Sequence, residues 1–202
     1  MALINNSKKF IFIGNARCAS TSMYHQIGKL SDGDDIIWPN GIYAKPDFYH
    51  MGIEEVLKEF PEKKDYFKFG FVRNPWSRIL SAWNEFQDKG HGEWNGAIYN
   101  YKTFIDFCLD FNNCPLSRDI HFHPNYNQVT IDDEIAIDFV GRFENLMYDF
   151  QKATKDFGFE TELSIHRRKT DTKNYRQYYT DETRDIIGEF YKKDIETFGY
   201  EF

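Results

Sequence analysis

Apolar positions along this chain follow two alternating rhythms. Phe10, Ile11, Phe12 and Ile13 form a short continuous run that stops at Gly14. That is the pattern of a strand covered on both faces, and it places a strand over residues 9–13. In "YFKFGFV", residues 66–72, Phe67, Phe69 and Phe71 fall on every second position, which is the period of a strand. A third strand is placed over residues 138–143. Elsewhere the spacing lengthens to three and four. Met23, Ile27 and Leu30 share one face of a helix over residues 20–30. Further helices are predicted over 53–60, 77–87, 103–111 and 145–157. The last helix starts after Thr180, an N-cap followed by Asp181 and Glu182 in the first turn. Its apolar face is Ile186, Ile187, Phe190, Ile195 and Phe198, and Gly199 ends it. Strands alternating with helices predict an α/β fold whose central parallel sheet is flanked by helices on both faces. No linker or repeat interrupts the chain, so residues 1–202 are read as a single domain with one full core.

Composition narrows the class. Aromatic residues are 18% of the chain, with 20 Phe and 13 Tyr, a content that favours a buried core over disorder. The formal net charge of −7 speaks against general binding to a nucleic-acid backbone or an anionic membrane, so neither is expected as a partner. Any anionic ligand must be met by a local cluster of Arg and Lys working against that field. Cys18, Cys108 and Cys114 form neither a disulfide framework nor a paired metal-ligand spacing. No apolar run approaches a membrane span, and "MALINNSKKF" lacks the apolar core of a signal peptide. A soluble protein of a reducing compartment, the cytoplasm, is expected.

Two strand-to-helix turns carry the candidate chemistry. The first is "FIFIGNARCASTSM", residues 10–23. Strand, tight turn and helix N-terminus in that order can cradle a phosphate on backbone N–H groups, although an ordinary strand-to-helix turn looks the same. Against the nucleotide triphosphatase pattern G-x-x-x-x-G-K-[ST], Gly14 fits, but Ala19 and Ser20 stand where Gly and Lys belong. Without that lysine an ATPase, GTPase or small-molecule kinase is disfavoured. The second turn is "FVRNPWSRILSAW", residues 71–83, with Arg73 at the strand end and Ser81 eight residues on. Ligands of open parallel sheets sit beyond the carboxyl ends of the strands, and a guanidinium fork with a helical hydroxyl suits a phosphate. Arg78 either joins them or makes a surface ion pair.

On these residues the chain resembles the sulfotransferases that use 3′-phosphoadenosine 5′-phosphosulfate (PAPS). Their first signature, a Pro-Lys-x-Gly/Ala-(Ser/Thr)-Thr-Ser type loop, corresponds to Ala16-Arg17-Cys18-Ala19-Ser20-Thr21-Ser22. Their second, Val-Arg-(Asn/Asp)-Pro followed by a helical Ser, corresponds to Val72-Arg73-Asn74-Pro75 with Ser81. "YFKFGFVRNPWSRILSAW", "DFVGRFENLMYDF" and "YYTDETRDIIGEFYKKDIETFGYEF" look like the carbohydrate-type branch, and the resemblance spans nearly the whole chain. It implies a P-loop-like three-layer fold, PAPS as sulfuryl donor, 3′,5′-ADP as product, and no metal. It also implies that Arg17, Cys18, Ala19, Ser20, Thr21 and Ser22 hold the 5′ end, with Arg73 and Ser81 on the 3′-phosphate. The family lysine is Arg17 here, which keeps the charge but cannot give up a proton. This departure leaves a binding-only nucleotide module on the same fold as the alternative to an enzyme.

A general base for the acceptor hydroxyl is best supplied by His near neutral pH. Family position, ahead of a short helix and about twenty residues before Arg73, points to His50. In "RDIHFHP" the alternation would send His121 and His123 to one side, and Asp119, His121 and Pro124 match an Asp-x-His-aromatic-x-Pro stretch of the carbohydrate branch. Both histidines are expected to line the acceptor site, with a packed structural pair as the other reading. The basic run "HRRKTDTKNYR", residues 166–176, is either a solvated loop or, by family position, a loop over the nucleotide, with Arg168 and Lys169 as contacts. A hydroxyl-bearing acceptor, a glycan or small molecule, is expected. Trp38, Trp94, Tyr99 and Tyr126 are suited to stacking on sugar rings.

Overall fold

The computed structural model describes residues 2–29, 36–37, 51–89, 100–158 and 174–202. It opens with a strand that the apolar pattern did not single out, β1 (Ala2–Asn5), paired antiparallel with β2 (Phe10–Ile13) so that Ala2 faces Ile13 and Asn5 faces Phe10. The turn between them is held by Asn5, whose Oδ1 accepts from Ser7 Oγ at 3.1 Å and Lys8 N at 2.8 Å. Such local bonds are why Asn favours turns. After β2 come α1 (Ser20–Lys29), β3 (Ile36–Ile37), α2 (Ile53–Glu59), β4 (Phe67–Val72) and α3 (Pro75–Lys89). A small hairpin, β5 (Thr130–Ile131) and β6 (Glu134–Ile135), precedes β7 (Phe139–Arg142).

The main sheet has the order β3-β1-β2-β4-β7. β2, β4 and β7 are parallel, as expected, whereas β1 pairs antiparallel with both β2 and β3. The expectation of a parallel sheet is therefore corrected to a mostly parallel one. The reason is the short connection, since a four-residue turn can join only antiparallel strands.

By its contacts the chain divides into two compact units: Met1–Val72 with Asn127–Arg167, and Arg73–Tyr126 with Arg168–Phe202. The first holds the sheet. Leu3, Phe10, Phe12, Phe69 and Phe71 pack with Met23, Tyr24 and Ile27 of α1 and with Phe150 and Ala153 of the helix Leu146–Thr154. Ile4, Ile11, Ile13 and Val72 are buried as well, so both faces of the central strands are covered. At Gly141 of β7 an added Cβ would lie 2.5 Å from the Phe71 ring, and only Gly lets that ring lie against the strand. The second unit packs α3, through Trp76, Ile79, Leu80, Trp83 and Phe86, against Phe107 and Phe111, Phe122, and Ile187 and Tyr191.

The predicted terminal helix is two helices, Asp181–Phe190 and Lys192–Phe198. Thr180 caps the first, accepting from Thr183 N at 3.2 Å, and Gly199 ends the second with φ 62°. The break at Tyr191 follows from buried polar chemistry. Tyr191 donates its hydroxyl to the Phe122 carbonyl. Three residues on, the buried Asp194 accepts from Asn125 N at 3.0 Å and Tyr126 N at 2.7 Å. Burial raises the Asp194 carboxyl above its ordinary value, opposed by the Arg78 charge and those two backbone bonds.

Candidate functional site

The turn after β2 is built from backbone. Gly14 and Asn15 leave the strand, residues 16–19 turn, and α1 begins with Met23 N donating to Ala19 O at 3.1 Å. Arg17 and Ala19 adopt left-handed φ angles of 63° and 62°, a conformation that costs an L-residue about 1–2 kcal/mol. Cys18 is fully buried between them, while Arg17 and Ala19 are partly exposed. Cys18 belongs to the core cluster that includes Phe12 and Met23, and Ala19 packs against that cluster. Asn15, 1% exposed, donates from Nδ2 to the Phe71 carbonyl at 2.8 Å, which pins this turn to the end of β4. Its Oδ1 has no partner among the described residues. Burial pushes the Tyr24 hydroxyl well above its ordinary value, against a hydrogen bond with the Gly14 backbone. Ser20 and Ser22 are buried and Thr21 is half-buried at the first turn of α1, where backbone N–H groups lack intrahelical acceptors. Such a helix start attracts an anion.

The turn after β4 is built from side chains. Arg73 is 3% exposed. Its Nε and Nη2 donate to Ser77 Oγ at 3.1 and 2.9 Å, and its backbone N–H donates to Asn125 Oδ1 at 3.3 Å. Asn74 accepts from Ser77 N at 3.2 Å and donates to the Glu201 carbonyl at 2.9 Å, and Pro75 occupies the first helical position, where its missing N–H costs nothing. Ser81 lies one turn beyond Ser77 on α3 and is fully buried. A buried guanidinium with two buried hydroxyls on one helical stripe is a charge-assisted donor set for a phosphate. Ser77 and Asn125 were missed from the sequence. Ser77 has a signal there, since it sits four residues from both Arg73 and Ser81.

Arg78 makes neither of the contacts expected of it. It is 1% exposed, donates from Nη1 to His121 O at 3.1 Å and from Nη2 to His123 O at 2.7 Å, and lies 5.1 Å from the centre of the Tyr191 ring. Its Nε has no partner among the described residues. The guanidinium thus clamps the "RDIHFHP" segment. That segment is a turn rather than a strand, so the predicted alternation of His121 and His123 does not hold. His121 Nδ1 bonds Asp119 Oδ1 at 2.7 Å, with its ring edge-on to Phe86 at 5.5 Å, whereas His123 Nε2 donates to Arg118 O at 2.8 Å. Burial works to raise the Asp119 carboxyl, but the hydrogen bonds and charge of His121 outweigh it and hold the group below its ordinary value. The Asp119 bond fixes the imidazole's orientation and leaves 28% of the His121 side chain exposed.

His50, Arg168 and Lys169 lie outside the described residues, as do Trp38, Trp94 and Tyr99. Tyr126 is 7% exposed and lies beneath the Lys193 ammonium at 4.9 Å, a packed ring rather than an open stacking face. Cys18, Cys108 and Cys114 are buried and form no disulfide. Among the described residues no group of three or more His, Cys, Asp or Glu side chains could hold a metal ion, and no helix is long and apolar enough to cross a membrane.

A family model described as "Sulfotransferase family" matches residues 1–201. An uncharacterized protein of Archaeoglobus fulgidus is 30% identical over 116 residues, which are 55% of this chain and 84% of that protein. No solved structure matches the chain.

Proposed function

The chain belongs to the sulfotransferase family, and we propose that it transfers the sulfuryl group of PAPS to an acceptor hydroxyl, on a carbohydrate. The observation that carries this reading is Arg73, a buried guanidinium set at the end of a parallel strand and held by Ser77 on the helix that bears Ser81. A buried guanidinium with helical hydroxyls beside it is a charge-assisted donor set suited to a phosphate. The 3′-phosphate, a dianion absent from 5′-nucleotides, is the group assigned to it. PAPS supplies the sulfuryl group and departs as 3′,5′-ADP.

The chain's own residues then divide the work. Cys18 and Ala19 shape the turn, and the backbone N–H groups of Ser20, Thr21 and Ser22 with their hydroxyls bind the 5′-phosphate at the helix start. Arg17 stabilises the negative charge left on the bridging oxygen, a task that requires charge rather than a transferable proton. Neutral His50 accepts the acceptor's proton at a ring nitrogen. Arg168 and Lys169 add charge around the nucleotide, and His121 and His123 line the acceptor side. No step calls for a metal.

Thermal unfolding separates the classes. 3′,5′-ADP without magnesium should raise Tm, and ATP with magnesium should not. Turnover is then read with labelled PAPS against glycans, phenols and small alcohols. Stabilisation by ATP–magnesium alone would overturn the donor assignment. Binding of PAPS with no transfer to any acceptor would favour the binding module and mark Arg17 as disabling.

A further inference from the structure

Phe202 sits inside a ring of aromatic side chains that the donor reading leaves unexplained. Its ring is edge-on to three others: Trp76 at 5.4 Å and 80°, Tyr175 at 5.7 Å and 84°, and Tyr179 at 5.6 Å and 84°. The guanidinium carbons of Arg176 and Arg184 each lie 5.8 Å from its centre. These partners are themselves fixed. Trp76 Nε1 donates to Arg184 O at 2.9 Å, and Tyr179 donates its hydroxyl to Trp76 O at 2.9 Å. Gly188 makes room for the indole, since a Cβ there would lie 3.2 Å from Trp76 Cζ2. One residue before Phe202, the Glu201 carbonyl holds Asn74.

What this cluster grips is notable. Trp76 and Asn74 belong to the turn that presents Arg73. Tyr175 opens the 3₁₀ turn Tyr175–Tyr178, which begins within the end of the basic run of residues 166–176. We propose that Phe202 is a positioning residue for 3′-phosphate recognition. With the Glu201 carbonyl it locks the Arg73–Trp76 turn and the 3₁₀ turn Tyr175–Tyr178 against one another, so that the guanidinium is held in its binding geometry before nucleotide arrives. Edge-to-face contacts are directional, and a locked side chain loses less entropy when it binds. The proposal rests on the assignment of Arg73 to the 3′-phosphate.

Affinities for 3′,5′-ADP and 5′-AMP, measured by calorimetry on the full chain, test it. Phe202→Ala should weaken 3′,5′-ADP binding about tenfold and change 5′-AMP binding less than about twofold. Phe202→Tyr, which keeps the ring, should restore the wild-type ratio of the two affinities. Phe202→Leu, which keeps bulk without the ring's edge and face, should fall between and provides the reading if the alanine variant does not fold. Equal weakening of both nucleotides, or an unchanged ratio in both the alanine and leucine variants, would overturn the proposal. Arg73→Ala measured alongside separates the two levels. If it too leaves the ratio unchanged, the 3′-phosphate assignment itself fails; if it alone moves the ratio, only the Phe202 lock fails.

Discussion

After β2 the chain turns through residues 16–19 with left-handed backbone at Arg17 and Ala19 and a buried Cys18 between them. After β4 it turns through Arg73, Asn74 and Pro75, with the guanidinium on Ser77, the carboxamide on Ser77 N and Glu201 O, and the Arg73 amide on Asn125. The first turn offers backbone dipoles at a helix start, with Cys18 buried in it and Arg17 and Ala19 half-buried. The second offers a charged fork whose direction is set by named side chains. An anion held by backbone is recognised by shape, and one held by a locked guanidinium is recognised by charge and geometry.

The largest expected effect belongs to a residue in neither turn. His50→Ala should lower turnover about 10²–10⁴-fold, the scale for losing a positioned base, while both nucleotide affinities stay near wild type. Wild-type activity should decline as pH falls through the imidazole range. Near-normal turnover in His50→Ala would move the base elsewhere, and His121, oriented by Asp119, would be the next variant to assay.

A change at the backbone-built turn should act on stability rather than on 3′ discrimination. Asn15→Ala removes the buried bond to the Phe71 carbonyl and should lower unfolding free energy by about 1–3 kcal/mol in a denaturant titration. The ratio of 3′,5′-ADP to 5′-AMP affinity should not move. A change in that ratio would mean that the two turns are not separable as described.

Smallest is the effect of relieving the left-handed backbone. Ala19→Gly should remove about 1–2 kcal/mol of conformational strain, offset by about 0.4–1 kcal/mol from the freer unfolded chain. A net gain of ~0.8 kcal/mol is expected from those two terms. A loss of stability would show that the Ala19 methyl packs usefully.

The parts legible in the sequence were those set by local pattern. Alternating Phe67, Phe69 and Phe71, the Thr180 cap and the Gly199 stop carry their meaning in a few neighbouring residues, and each was found where expected. The unread parts depend on partners distant in sequence. β1 is four residues long and becomes a strand by pairing with β2 and β3. The hairpin at residues 130–135 turns through Asp132 and Asp133 with φ of 50° and 63°, without the Asn-Gly signal such a turn favours. The break at Tyr191 answers to Phe122, and the clamp by Arg78 answers to the carbonyls of His121 and His123, 43 and 45 residues away. Of the candidate site, both turns were legible because the family's signatures lie in them. Asn125 and the Phe202 cluster were not, because supporting side chains carry no motif of their own, and Ser77 had only its spacing from Arg73 and Ser81 as a signal.

We propose above all that Arg73 grips the 3′-phosphate while the turn after β2 holds the 5′ end. Calorimetric titration of Arg73→Ala with 3′,5′-ADP and with 5′-AMP tests it most directly. A loss of about 1.5–3 kcal/mol is expected for 3′,5′-ADP, the range for a charge-assisted hydrogen bond, with 5′-AMP binding nearly unchanged. Equal weakening of both nucleotides, or of neither, would contradict it.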